Sequence, residues 1–542
     1  MIFVFSMRRR ALFQFVTTIL LLSLAPGLAL LVSGQAATGS GEQGHDRILL
    51  VFPFDNGTGQ PNLEWIREAA PEILSARFAS AGFAPMSRAD RMYALDHLGL
   101  PQQFQPSRAS SLKLAQTLDA DSIVVGSYKS DGTGFEAEAQ VVDVQRLRMS
   151  EVVSVRGEMR NLIPVFDTLA WKLTKLLDPS FNVAPETFVA AGASLRLDAF
   201  EQYIRGISEA DQEERLRHLR QAVALSPGYG PAWMALGKAA FNGQQYEQAA
   251  AAFAKVGRND PNALEAEFYR GLSLLFSGSY AKAEESFGEV ARVLPLGEVL
   301  NNEGVAVSRQ GHDGTGLFVQ AAAADPNAAD YHFNLAVSLK RHGTDAGAVN
   351  ELTQCLKLRP NDTEAQELMA QWKAPKAMGG SEGKAEPLER IVRTFDAVAF
   401  RQAALMMDQM EDAHLAALSP HERAVKLASQ AKDYLNRGLL LEAERLYQDA
   451  VATDGALAEA HAGLATVRER TGDSAAARKE ATASLELAPS VDAYLVLGRL
   501  DLAANHIDDA TKEIGEALKL DPASRAAQEL NRQIELRTGK RQ

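Results

Sequence analysis

Apolar positions along the chain follow two different periods in succession. Ile48 to Phe54 is a short unbroken apolar run closed by Asp55 and Asn56, which predicts a buried strand. Leu63 to Ala81 then sets Ile66, Ala70, Ile73, Leu74 and Phe78 on one face at helical spacing, with Gly82 as the stop. A second helix is predicted over Ser107 to Leu118, with Leu112, Ala115 and Leu118 inward. Residues 121–130 read as a strand, the DGTG at 131–134 as a turn, and the stretch from Phe135 alternates apolar and polar residues as a half-buried strand does. Residues 151–159 repeat that alternation, so an antiparallel meander is expected, closed by a helix from Asn161 to Leu177. Residues 46–178 are therefore predicted to be a small α/β domain with a mixed sheet and helices.

From residue 196 the period changes. Pro227, Pro261 and Pro295 are each 34 residues apart, and so are the pairs Gly237/Gly271, Ala249/Ala283 and Phe253/Phe287. Small residues let two helices approach, bulky ones fill the space between them, and the proline ends the second helix because it lacks an amide donor. From Pro295 to Pro326 the spacing drops to 31, so the repeat holding GHDGTG at 311–316 is shortened or irregular, and Pro326 to Pro360 restores 34. Cys355 falls where a small apolar residue packs, and Thr363 to Trp372 reads as a capping helix. The Gly- and Pro-rich 374–387 is a predicted flexible linker. Beyond it, Leu388 to Leu418 is expected to be helical with Phe395, Val398, Ala399 and Leu405 inward. Ala443, Tyr447 and Ala450 restart the repeat, which runs to a terminal cap at Arg525 to Arg537.

The 34-residue period and Trp233-Met234-Ala235-Leu236-Gly237 resemble the tetratricopeptide repeat, whose units are antiparallel helix pairs stacked into a solenoid. About eight repeats are expected, divided into 196–373 and 388–537. Pro53-Phe54-Asp55-Asn56, Ala120-Asp121, Gly126-Ser127 and Ala139-Gln140-Val141-Val142-Asp143 resemble the TolB amino-terminal-like domain, with Val152-Val153 departing from the usual Leu-Trp. That resemblance implies a recognition or scaffold module without chemistry. In tetratricopeptide arrays the first helix of each pair lines a concave groove, which the resemblance assigns here to Phe268, Leu272, Leu275 and Phe276, then Asn301 and Arg309, then Phe333, Lys340 and Arg341. Asn302 and Asn334 resemble part of the carboxylate-clamp pattern, whose full set is missing. An extended peptide with apolar residues and an acidic group is the expected ligand, held by Phe276 with Arg309, Lys340 and Arg341.

Charge and composition narrow the function. A net charge of −13, with 56 Lys plus Arg against 69 Asp plus Glu, argues against a nucleic-acid partner. A single cysteine forbids an intramolecular disulfide. No His-Glu-x-x-His or Gly-x-Ser-x-Gly occurs, His332 and His461 occupy inter-helix packing slots, and no segment is left over for a catalytic domain, so neither enzyme activity nor a cofactor or metal is expected. The glycine-bearing loop at 55–61 precedes a helix and carries the alternative of a nucleotide- or anion-sensing module, although the P-loop spacing is missing. A self-associating structural oligomer is the other alternative.

Arg8, Arg9 and Arg10 precede an uncharged stretch from Ala11 to Ser33 and small residues at Ser33, Gly34, Ala36 and Ala37. Residues 1–36 are thus a signal peptide or an N-terminal membrane anchor, with Pro26 and Gly27 favouring cleavage. The expectation is an exported scaffold of the bacterial periplasm or cell envelope that binds partner proteins or peptides. N-terminal sequencing of envelope material should find residues 1–36 absent; Met1 or Met7 on a membrane-embedded form would establish the anchor.

Overall fold

The computed structural model describes residues 48–101, 108–131, 134–192, 195–374, 387–396, 410–411 and 413–538. Residues 1–36, predicted to be a signal peptide or anchor, most of the predicted linker, and Val398, Ala399 and Leu405 lie outside the described residues. The amino-terminal part is a mixed sheet. Strand β1 (Ile48–Val51) pairs in parallel with β3 (Ala84–Pro85) and β4 (Ser122–Ser130), and β2 (Asp55–Asn56) extends the parallel pairing to β4. β5 (Gly134–Asp143) runs antiparallel to β4, while β6 (Arg148–Met149) and β7 (Val153–Glu158) run antiparallel to β5.

The continuous apolar run of β1 follows from burial on both faces. Leu49 and Val51 pack with helices α1 (Ile66–Ser80) and α4 (Leu162–Leu177), whereas Leu50 and Phe52 pack with α2 (Arg88–His97) and α3 (Arg108–Thr117). β5 instead alternates, with Phe135, Ala137, Ala139 and Val141 buried on the α1/α4 side. The helix at Arg88–His97 has no counterpart in the sequence expectation. It starts at a capping box in which Ser87 and Asp90 satisfy each other's backbone amides.

Of the stretch left between two predicted domains, residues 178–192 are packed rather than linking. Phe181, Val183 and Phe188 are buried in the sheet's own core cluster, and the Trp171 indole donates to the Val183 carbonyl at 2.8 Å. Helix α5 (Pro185–Gly192) follows, then the first hairpin, α6 (Leu197–Ser208) and α7 (Gln212–Leu225). Tyr203 of α6 donates to Glu72 of α1 at 3.0 Å, so the sheet and the helical array share one core.

The array continues as α8 (Gly230–Asn242), α9 (Tyr246–Phe253), α10 (Ala263–Phe276), α11 (Tyr280–Val293), α12 (Gly297–Arg309), α13 (Thr315–Ala324), α14 (Ala329–Arg341), α15 (Asp345–Leu358) and α16 (Thr363–Lys373). The architecture is an α/β amino-terminal part followed by an all-α solenoid of antiparallel helix pairs. Its period has a steric origin. A Cβ on Gly271 would lie 2.8 Å from the Phe287 ring, so the eighth position must stay small for helix α11 to close on α10. The 31-residue repeat places its loss in the second helix: α13 has 10 residues where α11 and α15 have 14. α12 keeps its 13 residues, so the row of first helices is preserved. Cys355 is fully buried, and burial pushes its thiol up to about 11, as suits a packing role.

One expectation is corrected here. Leu388 to Leu418 does not form a continuous helix: residues 387–396 carry no regular secondary structure, and among the later described residues 413–417 are helical. The second run comprises α17 (Pro420–Asn436), α18 (Leu440–Thr453), α19 (Ala458–Thr471), α20 (Ser474–Leu487), α21 (Val491–Ala503), α22 (Ile507–Leu520) and α23 (Arg525–Thr538). It returns to the amino-terminal part. The fully buried Glu444 of α18 accepts from the Ala184 amide at 3.0 Å and from the Thr187 hydroxyl, and pairs with Arg468 at 2.7 Å. Burial raises the Glu444 carboxyl above its ordinary range despite those three donors.

Ala249 and Ala283 are both fully buried. Ala249→Leu and Ala283→Leu should each cost about 1–3 kcal/mol by overpacking, read as a lowered melting temperature. An unchanged melt in both would mean that these positions have spare volume.

Candidate functional site

The first helices α10, α12 and α14, with the start of α16, form a groove, and the extended residues 388–396 lie in it. An extended chain carries amides and carbonyls that no helix or sheet ladder satisfies, so the groove must supply partners. It does so with asparagine. Asn334 donates to the Arg390 carbonyl at 2.7 Å while its own oxygen accepts from the Arg390 amide at 2.7 Å. Asn302 repeats the arrangement on Val392, donating to its carbonyl at 2.8 Å and accepting from its amide at 2.9 Å. Asn301 adds a third contact, donating to the Arg390 carbonyl at 3.0 Å and accepting from Asn334 at 2.8 Å. All three asparagines are fully buried.

Residues two apart in an extended chain face the same way, so the asparagines read alternate peptide units and the side chains diverge. Glu389 points to the carboxy-terminal ends of α12 and α14, where Arg341 meets it at 2.7 Å, Arg309 at 3.3 Å, and the Ser308 hydroxyl donates to it. Burial alone would raise this carboxyl. The Ser308 and Arg341 donors outweigh that cost and hold it below the usual range.

Arg390 points the other way. Its guanidinium bonds Asp362 through both terminal nitrogens, at 2.6 and 2.9 Å, and reaches Asp330 at 3.0 Å and Glu364 at 2.9 Å. It lies 3.6 Å over the Phe333 ring. Burial opposes its charge, and the acidic partners more than restore it.

Farther along, Arg393 sits 4.7 Å over Phe276, which stacks on Tyr246 at 5.0 Å and meets Phe241 at 5.9 Å. Phe395 packs on Phe268 with ring centroids 5.4 Å apart, and the Asp396 amide donates to Glu298 at 3.0 Å. The segment thus runs from α14 and α16 back towards α10, against the order of the repeats.

The structure separates the residues assigned from the sequence. Phe268, Phe276, Asn301, Arg309, Phe333 and Arg341 meet the segment directly. Leu272 and Leu275 are buried in the core cluster between helices. Lys340 pairs with Asp345 at 2.8 Å and lies 5.6 Å over Trp372, so it is not one of the cations around Glu389. Phe276 faces a cation where an apolar ligand residue was expected. Sequence reasoning missed Asp330, Asp362 and Glu364, because it sought only cations for an acidic ligand. It missed the occupant because Phe395, Val398, Ala399 and Leu405 suit a helix face by spacing. The β-branched run Ile391-Val392 with Thr394, after Pro387, was the available signal for extended chain.

The loop at 55–61 spends its polar groups internally. Asn56 accepts from the Thr58 amide at 3.0 Å, Thr58 accepts from the Gln60 amide at 3.0 Å, and the Gly57 amide donates to the Tyr128 carbonyl at 2.8 Å. The Glu64 carboxylate adjoins at 2.9 Å from Asn56, which disfavours an anion there. His332 and His461 are half-buried, each bonded to a glutamate at 2.7 Å, Glu351 and Glu480. Among the described residues no group of three or more His, Cys, Asp or Glu is placed to hold a metal ion. No described helix is long and apolar enough to cross a membrane.

Residues 197–272 match the tetratricopeptide repeat family. Among solved structures, MamA 41-end from Desulfovibrio magneticus RS-1 is similar at 22% identity, over 33% of this chain and 99% of that one, with a TM-score of 0.28. YrrB, described as a TPR protein with an unusual peptide-binding site, is similar at 16% identity over 38% and 99% of the two chains, with a TM-score of 0.28. The first TPR of Spaghetti (RPAP3), bound to an HSP90 peptide, is similar at 21% identity over 22% and 96%, with a TM-score of 0.21. A search of curated proteins returned no match.

Each bidentate asparagine makes two main-chain bonds worth on the order of 1 kcal/mol apiece, and its removal strands the buried groups it served. Asn302→Ala with Asn334→Ala should therefore speed tryptic cleavage after Arg390 and Arg393 by about tenfold or more, since 1.4 kcal/mol is a factor of ten in opening. Cleavage at the unaltered rate would show that the asparagines do not hold the segment.

Proposed function

We propose that this chain is a non-enzymatic scaffold that binds partner proteins or peptides in the groove of its first array. Arrays of this fold class serve as interaction scaffolds. The observation that carries the reading is the pairing of Asn302 and Asn334 with the amide and carbonyl of alternate residues of an extended chain. Three fully buried amide side chains need partners that both donate and accept, and a peptide main chain supplies both to Asn302 and Asn334. The charge, apolar and small-residue order of residues 1–36 is that of an export segment, cleaved or anchored, and supports reading the scaffold as one of the bacterial cell envelope. The resemblance to TolB amino-terminal-like modules supports a recognition role for the α/β part. The internally bonded loop at 55–61 gives the sensing alternative no free main-chain amide at Gly57, Thr58 or Gln60.

Crosslinking of the full chain in native envelope material, followed by identification of the captured species, tests this. In a chain whose residues 388–396 are spoiled by Glu389→Lys, Arg390→Glu and Phe395→Ala, adding Phe276→Ala and Asn302→Ala should reduce the capture of a specific partner severalfold while circular dichroism stays native. Undiminished capture by that variant would move the binding surface out of the groove, with the α/β part as the next candidate.

A further inference from the structure

Resting on the scaffold reading, we propose that residues 388–396 are a built-in competitor for the groove, and that its external ligand is an extended peptide of the same chemistry. That chemistry is legible position by position. The ligand needs an acidic residue for Arg309 and Arg341, then directly a basic residue for Asp330, Asp362 and Glu364. Three residues later it needs a cation for the Phe276 ring, and two beyond that an aromatic residue for Phe268. Written from the occupant, the pattern is Glu-Arg-x-x-Arg-x-Phe.

Three features separate a competitor from a structural filler. Each hairpin has a closing contact of its own: Phe287 packs against Gly271 and Phe318 against Gly304. Besides the apolar packing of Ile391, Val392 and Phe395, the grip includes main-chain and ionic bonds that a chain of matching sequence can reproduce in trans, whereas a filler needs only apolar complementarity. The segment also follows a sequence rich in Gly and Pro, 374–387, which tethers it near the groove. Tethering gives it an effective concentration on the order of millimolar, so even a weak internal ligand keeps the groove filled. An external peptide binds with its affinity reduced by the fraction of chains whose groove is open.

The test uses the full chain and a fluorescein-labelled peptide with the sequence of residues 387–396. Anisotropy titrations compare the wild-type chain with Glu389→Lys/Arg390→Glu/Phe395→Ala, which spoils the internal segment and leaves every groove residue native. The peptide should bind this variant at least about tenfold more tightly than wild type, as removal of a tethered competitor requires. Adding Asn302→Ala and Asn334→Ala should abolish the gain. If the triple variant does not melt cooperatively, Arg390→Ala serves in its place. No binding to the folded variant, or equal binding to both chains, would overturn the competitor. Retention of partner capture in the crosslinking experiment would then leave the scaffold reading standing, whereas loss of capture alone would not touch the peptide result. A doubled wild-type mass by light scattering, reverting to monomer in the segment variant, would make a second copy the occupant and also overturn the proposal.

Discussion

An extended peptide cannot be buried unless something answers its amides and carbonyls, and this requirement organises the groove. Helices satisfy their own main chains and have nothing to spare, so the answer must come from side chains that both donate and accept. The asparagine carboxamide does both. Asn302 and Asn334, 32 residues apart on successive first helices, sit at the spacing of alternate peptide units. The shortened repeat does not disturb that spacing. Its missing residues come out of α13 and leave α12 and α14 in step, so the solenoid absorbs an irregular repeat without dislocating its inner surface.

Around that main-chain grip the charges are sorted by end. Cations gather at the carboxy-terminal ends of α12 and α14, where helix dipoles favour them, and carboxylates gather near the starts of α14 and α16. Asp362 does two jobs, capping α16 through the Ala365 amide and holding Arg390. A groove charged in this way orients its ligand, because a reversed peptide would face like charges at both places.

The regular parts of the molecule were legible because each follows one dominant force. The 34-residue period reports the contact of Gly271 with Phe287, and the β1 run reports burial on two faces. The groove was legible as a surface, since position in the repeat identifies which residues face inward. Its occupant was not, because an extended strand held by side chains leaves no period of its own. Arg88–His97 escaped for a related reason: with Arg91, Ala94 and Leu95 buried in ten residues, its inward face is too short and too polar to stand out. The packed stretch around Phe181 to Phe188 was taken as a boundary because its neighbour in space, Glu444, is remote in sequence.

That last contact bears on how the chain is made. Ala184 and Glu444 are 260 residues apart, and the amide of one is satisfied only by the carboxylate of the other. During synthesis the sheet and first hairpins emerge and can pack long before α18 exists, so the stretch from Asn182 to Thr187 must wait with its polar groups in water. Closure comes only once the second array has been made. A product ending before Leu440 would lack both the carboxylate that answers the Ala184 amide and Leu441 of the shared core, and would leave that edge to water.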